Sequence, residues 1–204
     1  MSIVIVDTGV ANRHSIRNAL EYIGCAVELT ADPDRIRNAD KIVFPGVGAF
    51  AAGMRSLRSR HLIEPLREQA IERRKPILGI CLGLQMMADI GEEDGEHPGL
   101  GWISGRVRRL APREASLKVP HIGFNTVAWR GTSRLFAGLP QSVDFYFVHS
   151  YYLDAAADFI CGTADYGGAF TAAIERDNIM GVQFHPEKSQ AAGLHLLRNF
   201  ANLK

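Results

Sequence analysis

No charge of either sign dominates this sequence: 23 Lys and Arg face 22 Asp and Glu, a formal net charge of +1. Such a balance gives no electrostatic case for binding nucleic acid or an anionic membrane surface. Cysteine is scarce, with three residues at wide spacing. An odd, scattered set makes neither a disulfide framework nor a zinc pattern, which favours a reducing, cytoplasmic setting and no metal. No apolar run reaches the ~18 residues that a membrane span needs. The most apolar stretch, around Cys81, is interrupted by Gln85. The opening Met1-Ser2-Ile3-Val4-Ile5-Val6-Asp7 has no basic region and no cleavage site, so a first strand is expected there rather than a signal peptide. Internal repeats, low-complexity tracts and obvious linkers are lacking too. The expectation is a single domain over residues 1–204 with a sizeable core.

What is present alternates between strand and helix. Ile3 to Val6 reads as a strand buried on both faces. Ile16, Ala19, Leu20 and Ile23 fall at helical spacing, and Gly24 stops that helix. Ala26 to Leu29 is a second strand, Asp32-Pro33 opens a short helix through Ile36, and Ile42 to Phe44 is a third strand. This order predicts an α/β fold with a doubly wound, mostly parallel sheet. Helices are expected through Met54 and Leu57 and over Ile63, Leu66 and Ala70. Ile77 to Ile80 is a further buried strand, followed by a helix with Leu84, Met86, Met87 and Ala88. After Gly91 the character changes. Residues 92–99 read as an acidic surface loop. Trp102 to Arg109, Phe124 to Trp129, Phe145 to Val148 and Phe159 to Thr163 look extended, so antiparallel or mixed strands are expected to join the parallel sheet. Ile179 to Phe184 is a strand, and a closing helix carries Leu194, Leu197 and Ala201.

Chemistry concentrates at two strand ends. Gly79-Ile80-Cys81-Leu82-Gly83 at a strand-to-helix turn has the form of a nucleophile elbow with sulfur in place of oxygen. Glycines flank the cysteine because backbone must approach closely there. Cys81 also suits a small buried hydrophobe, as free cysteines often are. His185 and Glu187 stand two apart. In extended backbone that spacing points both side chains the same way, and a carboxylate beside an imidazole fixes its tautomer. His185-Pro186-Glu187 alone suits a surface turn equally well. With Cys81 the two make a candidate Cys-His-Glu triad. Pro45-Gly46-Val47-Gly48-Ala49-Phe50 follows a strand and leaves N–H groups free for a ligand, or is an ordinary turn.

These motifs together resemble the class I (triad) glutamine amidotransferases. Residues 45–50, Val119-Pro120-His121-Ile122-Gly123-Phe124-Asn125 and Tyr146-Phe147-Val148-His149-Ser150-Tyr151 are similar to the glutaminase subunits of imidazole glycerol phosphate synthases. The resemblance runs from near residue 3 to near residue 203. The chain departs from it at Phe124, where those subunits often have tryptophan, and at Thr8-Gly9-Val10-Ala11-Asn12, where they often have Tyr-Gly-x-Gly-Asn.

The resemblance implies a three-layer, flavodoxin-like sheet and hydrolysis of glutamine to glutamate and ammonia through a glutamyl thioester. It assigns Cys81, His185 and Glu187 to catalysis, and Val47, Gly48 and Leu82 to the oxyanion hole. Gly46, Gln85, His149, Ser150 and Tyr151 bind glutamine, the last three mainly through backbone. No cofactor is implied. The implied partner is a (βα)8-barrel cyclase that receives the ammonia in histidine biosynthesis. Asn12, Phe124, Tyr146 and Lys188 are the candidates for the surface facing it. The sequence has no phosphate-cradling glycine loop with lysine, so the synthase step must lie on another chain. A glutaminase for vitamin B6 synthesis, a glutamyl hydrolase and a non-catalytic regulatory subunit on the same fold are the alternatives.

Overall fold

The computed structural model describes residues 2–9 and 13–203. In chain order the elements are β1 (Ile3–Val6), α1 (Arg13–Tyr22), β2 (Val27–Thr30), α2 (Pro33–Arg37), β3 (Lys41–Gly46), α3 (Phe50–Ser59), α4 (Ile63–Arg67), β4 (Ile77–Cys81) and α5 (Leu82–Met86). The second half adds β5 (Ala88–Gly91), β6 (His97–Pro98), β7 (Ile103–Arg109), β8 (His121–Trp129), β9 (Ser142–His149), β10 (Tyr151–Ala155), β11 (Ile160–Asp165), β12 (Ala169–Arg176), β13 (Ile179–Val182) and α6 (Gln190–Ala201).

The main sheet has nine strands in the order β2-β1-β3-β4-β13-β12-β11-β8-β9. The first five run parallel, and from β12 outward the pairing is antiparallel. The expected parallel sheet with added antiparallel strands is thus present. Alternation along each parallel strand sends side chains to two cores. Ile3, Ile5, Leu78 and Ile80 pack with α1, α6 and the aromatics of β9. Val4, Val6, Ile42 and Ile77 pack with α2 to α5. Asp32 caps α2 by accepting from the Asp34 N–H at 2.8 Å, with Pro33 in the first turn. Among the described residues no helix is long and apolar enough to cross a membrane.

Two expectations need correction. The helix after Cys81 ends at Met86 and does not reach Ala88. The carbonyls of Met86, Met87 and Ala88 accept instead from the N–H groups of Leu100 to Ile103. Ala88–Gly91 becomes a strand of a second sheet, ordered β10-β7-β5-β6. The acidic segment is partly built into that sheet, with Arg106 paired to both Glu92 and Glu96. The helix that starts at Ile63 also continues as a π-turn over Glu68–Glu72.

Position in the sheet decides the site. β4 lies between β3 and β13, and Gly46 is level with Cys81 in the β3 ladder. The carboxyl ends of three neighbouring parallel strands therefore converge on the cysteine, as open α/β sheets arrange their sites. Close approach of α5 to β3 allows this. A Cβ on Gly83 would lie 1.8 Å from the Phe44 carbonyl oxygen. Gly83→Ala should therefore lower stability by about 3 kcal/mol, the upper end for overpacking, as read from the urea unfolding midpoint.

Candidate active site

Cys81 ends β4 with φ +53° and ψ −111°, a left-handed conformation that non-glycine residues avoid. Its backbone turns there from strand into α5. This is the geometry of a nucleophile elbow. The residue is 7% exposed and lies in the wall of a cavity of about 530 Å³.

His185 is held at three points. Its N–H donates to the Tyr146 carbonyl at 2.8 Å. Its carbonyl accepts from Ser189 Oγ at 2.6 Å, and Ser189 Oγ in turn accepts from the Tyr146 N–H at 2.9 Å. Its ring Nδ1 meets Glu187 Oε1 at 2.9 Å, with both side chains buried. The backbone between them is a 3-10 turn over Pro186–Lys188 rather than the extended form expected from the spacing. The turn, not strand alternation, curls the carboxylate back to the ring. Nε2 is buried without a hydrogen-bond partner. Burial disfavours the imidazolium, but the neighbouring Cys81 sulfur and Glu187 carboxylate outweigh it and raise the pKa to about 10.

The cavity gathers most of the expected residues. Val47, Gly48, Leu82, Gln85, His149, Ser150 and Tyr151 line it together with Cys81. Gly46 lies in the ladder behind the cysteine, where a Cβ would meet Leu82 Cβ at 2.9 Å. Glu187 stands behind His185. Gln85 donates through Nε2 to the Tyr151 carbonyl at 2.8 Å and to Gln183 Oε1 at 3.0 Å. Phe124, Tyr146 and Lys188 form one surface cluster. The Phe124 and Tyr146 rings meet edge to face at 5.6 Å, and Lys188 Nζ lies 5.5 Å from the centre of the Tyr146 ring. Asn12 lies outside the described residues. Among the described residues no group of three or more His, Cys, Asp or Glu is placed to hold a metal ion.

Sequence reasoning missed two residues here. Glu93, read as part of a surface loop, lines the cavity and accepts the Phe50 N–H through Oε2 at 2.7 Å, at the start of α3. Gln183, fully buried, reaches Cys81 Sγ with Nε2 at 3.6 Å. Gln183 stands two residues before His185, so its place at the same strand end was a usable signal. Nothing local marked Glu93. His149, the last residue of β9, is buried with both ring nitrogens engaged. It is 5% exposed, and its Nδ1 lies 2.9 Å from the Tyr151 carbonyl, while Nε2 lies 3.1 Å from Nδ1 of the equally buried His121.

Comparison with known proteins follows the same lines. A family model described as glutamine amidotransferase class-I matches residues 4–203. The imidazole glycerol phosphate synthase subunit HisH of Mesorhizobium japonicum is 47% identical over 213 residues, covering 98% of each chain. The subunit of that name from Moorella thermoacetica is 46% identical over 202 residues, covering 98% of this chain and 94% of that one. Among solved structures, PurLQS from Thermotoga maritima aligns with a TM-score of 0.74 at 16% identity, over 98% of this chain and 97% of that one. A second, described as a glutamine amidotransferase, gives 0.73 at 17% identity, over 97% and 98%. At such identities the likeness concerns the fold.

The two accessory histidines set an acid limit on stability. Burial lowers the pKa of both His121 and His149 from 6.5 to about 4, and for His149 the nearby His121 and His185 add to this. Above pH 6.5 these two rings are neutral in both folded and unfolded chains and take nothing from stability. As pH falls from 6.5 toward 4, the unfolded chain takes up protons that the folded chain refuses, so stability declines. Each proton contributes about 1.4 kcal/mol per pH unit. His149→Gln should make this acid slope shallower by one proton's worth, measured as urea midpoints across that window.

Proposed function

The chain belongs to the class I glutamine amidotransferase family, and on that premise we propose that it is the glutaminase subunit of an imidazole glycerol phosphate synthase. One observation carries the chemistry: a cysteine in left-handed backbone lines a cavity next to a buried His185–Glu187 pair. In the proposed cycle the Cys81 thiolate attacks the side-chain amide carbon of glutamine. The tetrahedral oxyanion takes N–H groups from Leu82 and from the Val47-Gly48 turn. His185 gives its proton to the departing nitrogen, and ammonia leaves with a glutamyl thioester on Cys81. His185 then takes a proton from water as it attacks the thioester, releasing glutamate and restoring the thiolate. Glu187 holds the ring in the tautomer that presents Nε2.

Gly46 beside the cysteine, Gln85 and the backbone of His149, Ser150 and Tyr151 are the glutamine contacts in this reading. Glu93, the carboxylate lining the cavity, suits the α-ammonium group. One domain spanning residues 1–204 carries all of this.

The proposed partner is a (βα)8-barrel cyclase. Ammonia freed into neutral water becomes ammonium and loses its nucleophilicity, so it must be handed over directly. The Phe124–Tyr146–Lys188 cluster suits the docking face. It shares strands with the site, since the Tyr146 carbonyl holds the His185 N–H. The cytoplasm is the proposed compartment.

The test is a comparison of two nitrogen sources. The chain mixed with a histidine-pathway cyclase should make imidazole glycerol phosphate from either glutamine or ammonium salts. Cys81→Ala should lose the glutamine route by roughly 10⁴-fold and keep the ammonium route. Glu187→Gln should lower glutamine turnover on the order of 10²–10⁴-fold. Glutamine hydrolysis indifferent to the cyclase would overturn the pathway assignment. No hydrolysis in any combination would overturn the triad.

A further inference from the structure

We propose that Gln183 is a catalytic residue, an N–H donor that stabilises the Cys81 thiolate, held in the donating orientation by Gln85 and the Tyr151 carbonyl. This rests on the reading of Cys81 as the nucleophile.

The orientation of the Gln183 amide follows from a chain of hydrogen bonds that starts at an atom with no choice. A backbone carbonyl can only accept. Gln85 must therefore present its NH2 group to the Tyr151 oxygen, at 2.8 Å. The second hydrogen of that NH2 points at Gln183, at 3.0 Å, so Gln183 must turn its Oε1 toward Gln85. Its own NH2 is then left facing Cys81 Sγ at 3.6 Å. An amide reversed at either glutamine would put two acceptors or two donors together in a buried place, at a cost of about 1–3 kcal/mol. Gln183 is fully buried and its backbone N–H is bonded to the Ala172 carbonyl at 2.8 Å, so the side chain has a fixed root.

The Tyr151 oxygen is itself pinned from a second side. His149 Nδ1–H donates to it at 2.9 Å, and His149 Nε2 accepts from His121 Nδ1–H at 3.1 Å. His149 must be neutral to play both parts, because its Nε2 accepts while its Nδ1–H donates. Donors therefore converge on the Tyr151 carbonyl from His149 and from Gln85, and the second Gln85 hydrogen starts the run through Gln183 to the sulfur. An N–H donor favours the charged form of its acceptor, so this arrangement favours the thiolate.

Site-specific alkylation tests the idea. The full-length chain would be treated with iodoacetamide across a pH range, and Cys81 labelling read by peptide mass spectrometry, apart from Cys25 and Cys161. The titratable groups around the sulfur are His185 with Glu187 behind it, and Glu93, His149 and Tyr151 in the cavity wall; none is altered. In Gln183→Met the donor is lost at similar volume. Labelling near neutral pH should fall about tenfold while the fully ionised rate at high pH matches wild type, so that the midpoint moves up by about one unit. Gln85→Met removes the donor that holds Gln183 Oε1 and adds no charge. The Gln183 amide is then free to turn its oxygen toward the sulfur, and the labelling midpoint should rise again, although residue 85 is not the one that touches the sulfur. A far-UV circular dichroism spectrum and a urea unfolding midpoint close to those of wild type show that either variant is folded. Midpoints unchanged in both variants, with a reactive wild-type Cys81, would overturn the role of Gln183 alone. A wild-type Cys81 no more reactive than an ordinary thiol would overturn it together with the nucleophile on which it rests.

Discussion

The backbone of Cys81 is the constraint on which the rest of the molecule depends. A non-glycine residue at φ +53° costs on the order of 1–3 kcal/mol, and it persists only where its surroundings leave no alternative. Here the surroundings are β3 and β13, which fix β4 from both edges, and α5, which lies against the sheet with no room to relax. Gly83 meets the Phe44 carbonyl, and a Cβ on Gly181 would meet the Leu84 side chain at 2.5 Å. The strain is thus held by a core packed on both sheet faces. The other elements of the site inherit their places from the same ladders. Gly46 is level with Cys81, and Gln183 and His185 follow directly from the strand that pairs Val182 with Ile80. A slip of one residue in either ladder would turn these side chains to the wrong face.

The sequence displayed the parts whose signals are local. β1, β3 and β4 read as continuous apolar runs because they are buried on both faces. Asp32-Pro33 marked a helix start because capping is a matter of three residues. The elbow was legible because its glycines answer to close contacts within a few residues of the cysteine. Signals that depend on partners far along the chain were not legible. Ala88 sits in a stretch with good helix formers, yet strand pairing with residues from Leu100 onward captures the carbonyls the helix would have used. β12 contains Ala172 and Ala173, poor strand formers, and is a strand because β11 and β13 flank it. The His185–Glu187 contact was expected for the wrong reason, since spacing of two suits a turn as well as a strand. Glu93 reaches the cavity through the second sheet, which the sequence did not reveal.

Three buried histidines in one neighbourhood are driven in opposite directions. Burial alone lowers the pKa of an imidazole, and it acts on all three. His121 and His149 follow it down to about 4, because their partners are neutral rings and a peptide carbonyl. His185 goes up to about 10 because sulfur and carboxylate flank it. The separation divides the work. One ring holds a proton it can deliver, while two are fixed as neutral links whose donors run in a single direction. A proton on His149 would leave its Nε2 nothing to accept, break the link to His121 and set a second cation near His185. Keeping His149 neutral therefore protects the charge on His185, while its Nδ1–H holds the Tyr151 carbonyl.

That carbonyl joins the site to the outer edge of the sheet. His121 and His149 face each other as register partners at one end of β8 and β9, and Phe124 and Tyr146 are partners three residues further along. The same two strands therefore carry the proposed docking face and the histidine pair that holds the Tyr151 carbonyl. Ser189 ties Tyr146 to the His185 turn as well, so that each proton-handling element of the site is anchored to this edge pair. An edge pair can shift without breaking the central ladders, because β9 has a neighbour on one side only. The parallel half of the sheet bears the nucleophile together with Gln183 and His185, which follow β13, while the antiparallel edge pair bears the groups that hold the Tyr151 carbonyl and the His185 backbone.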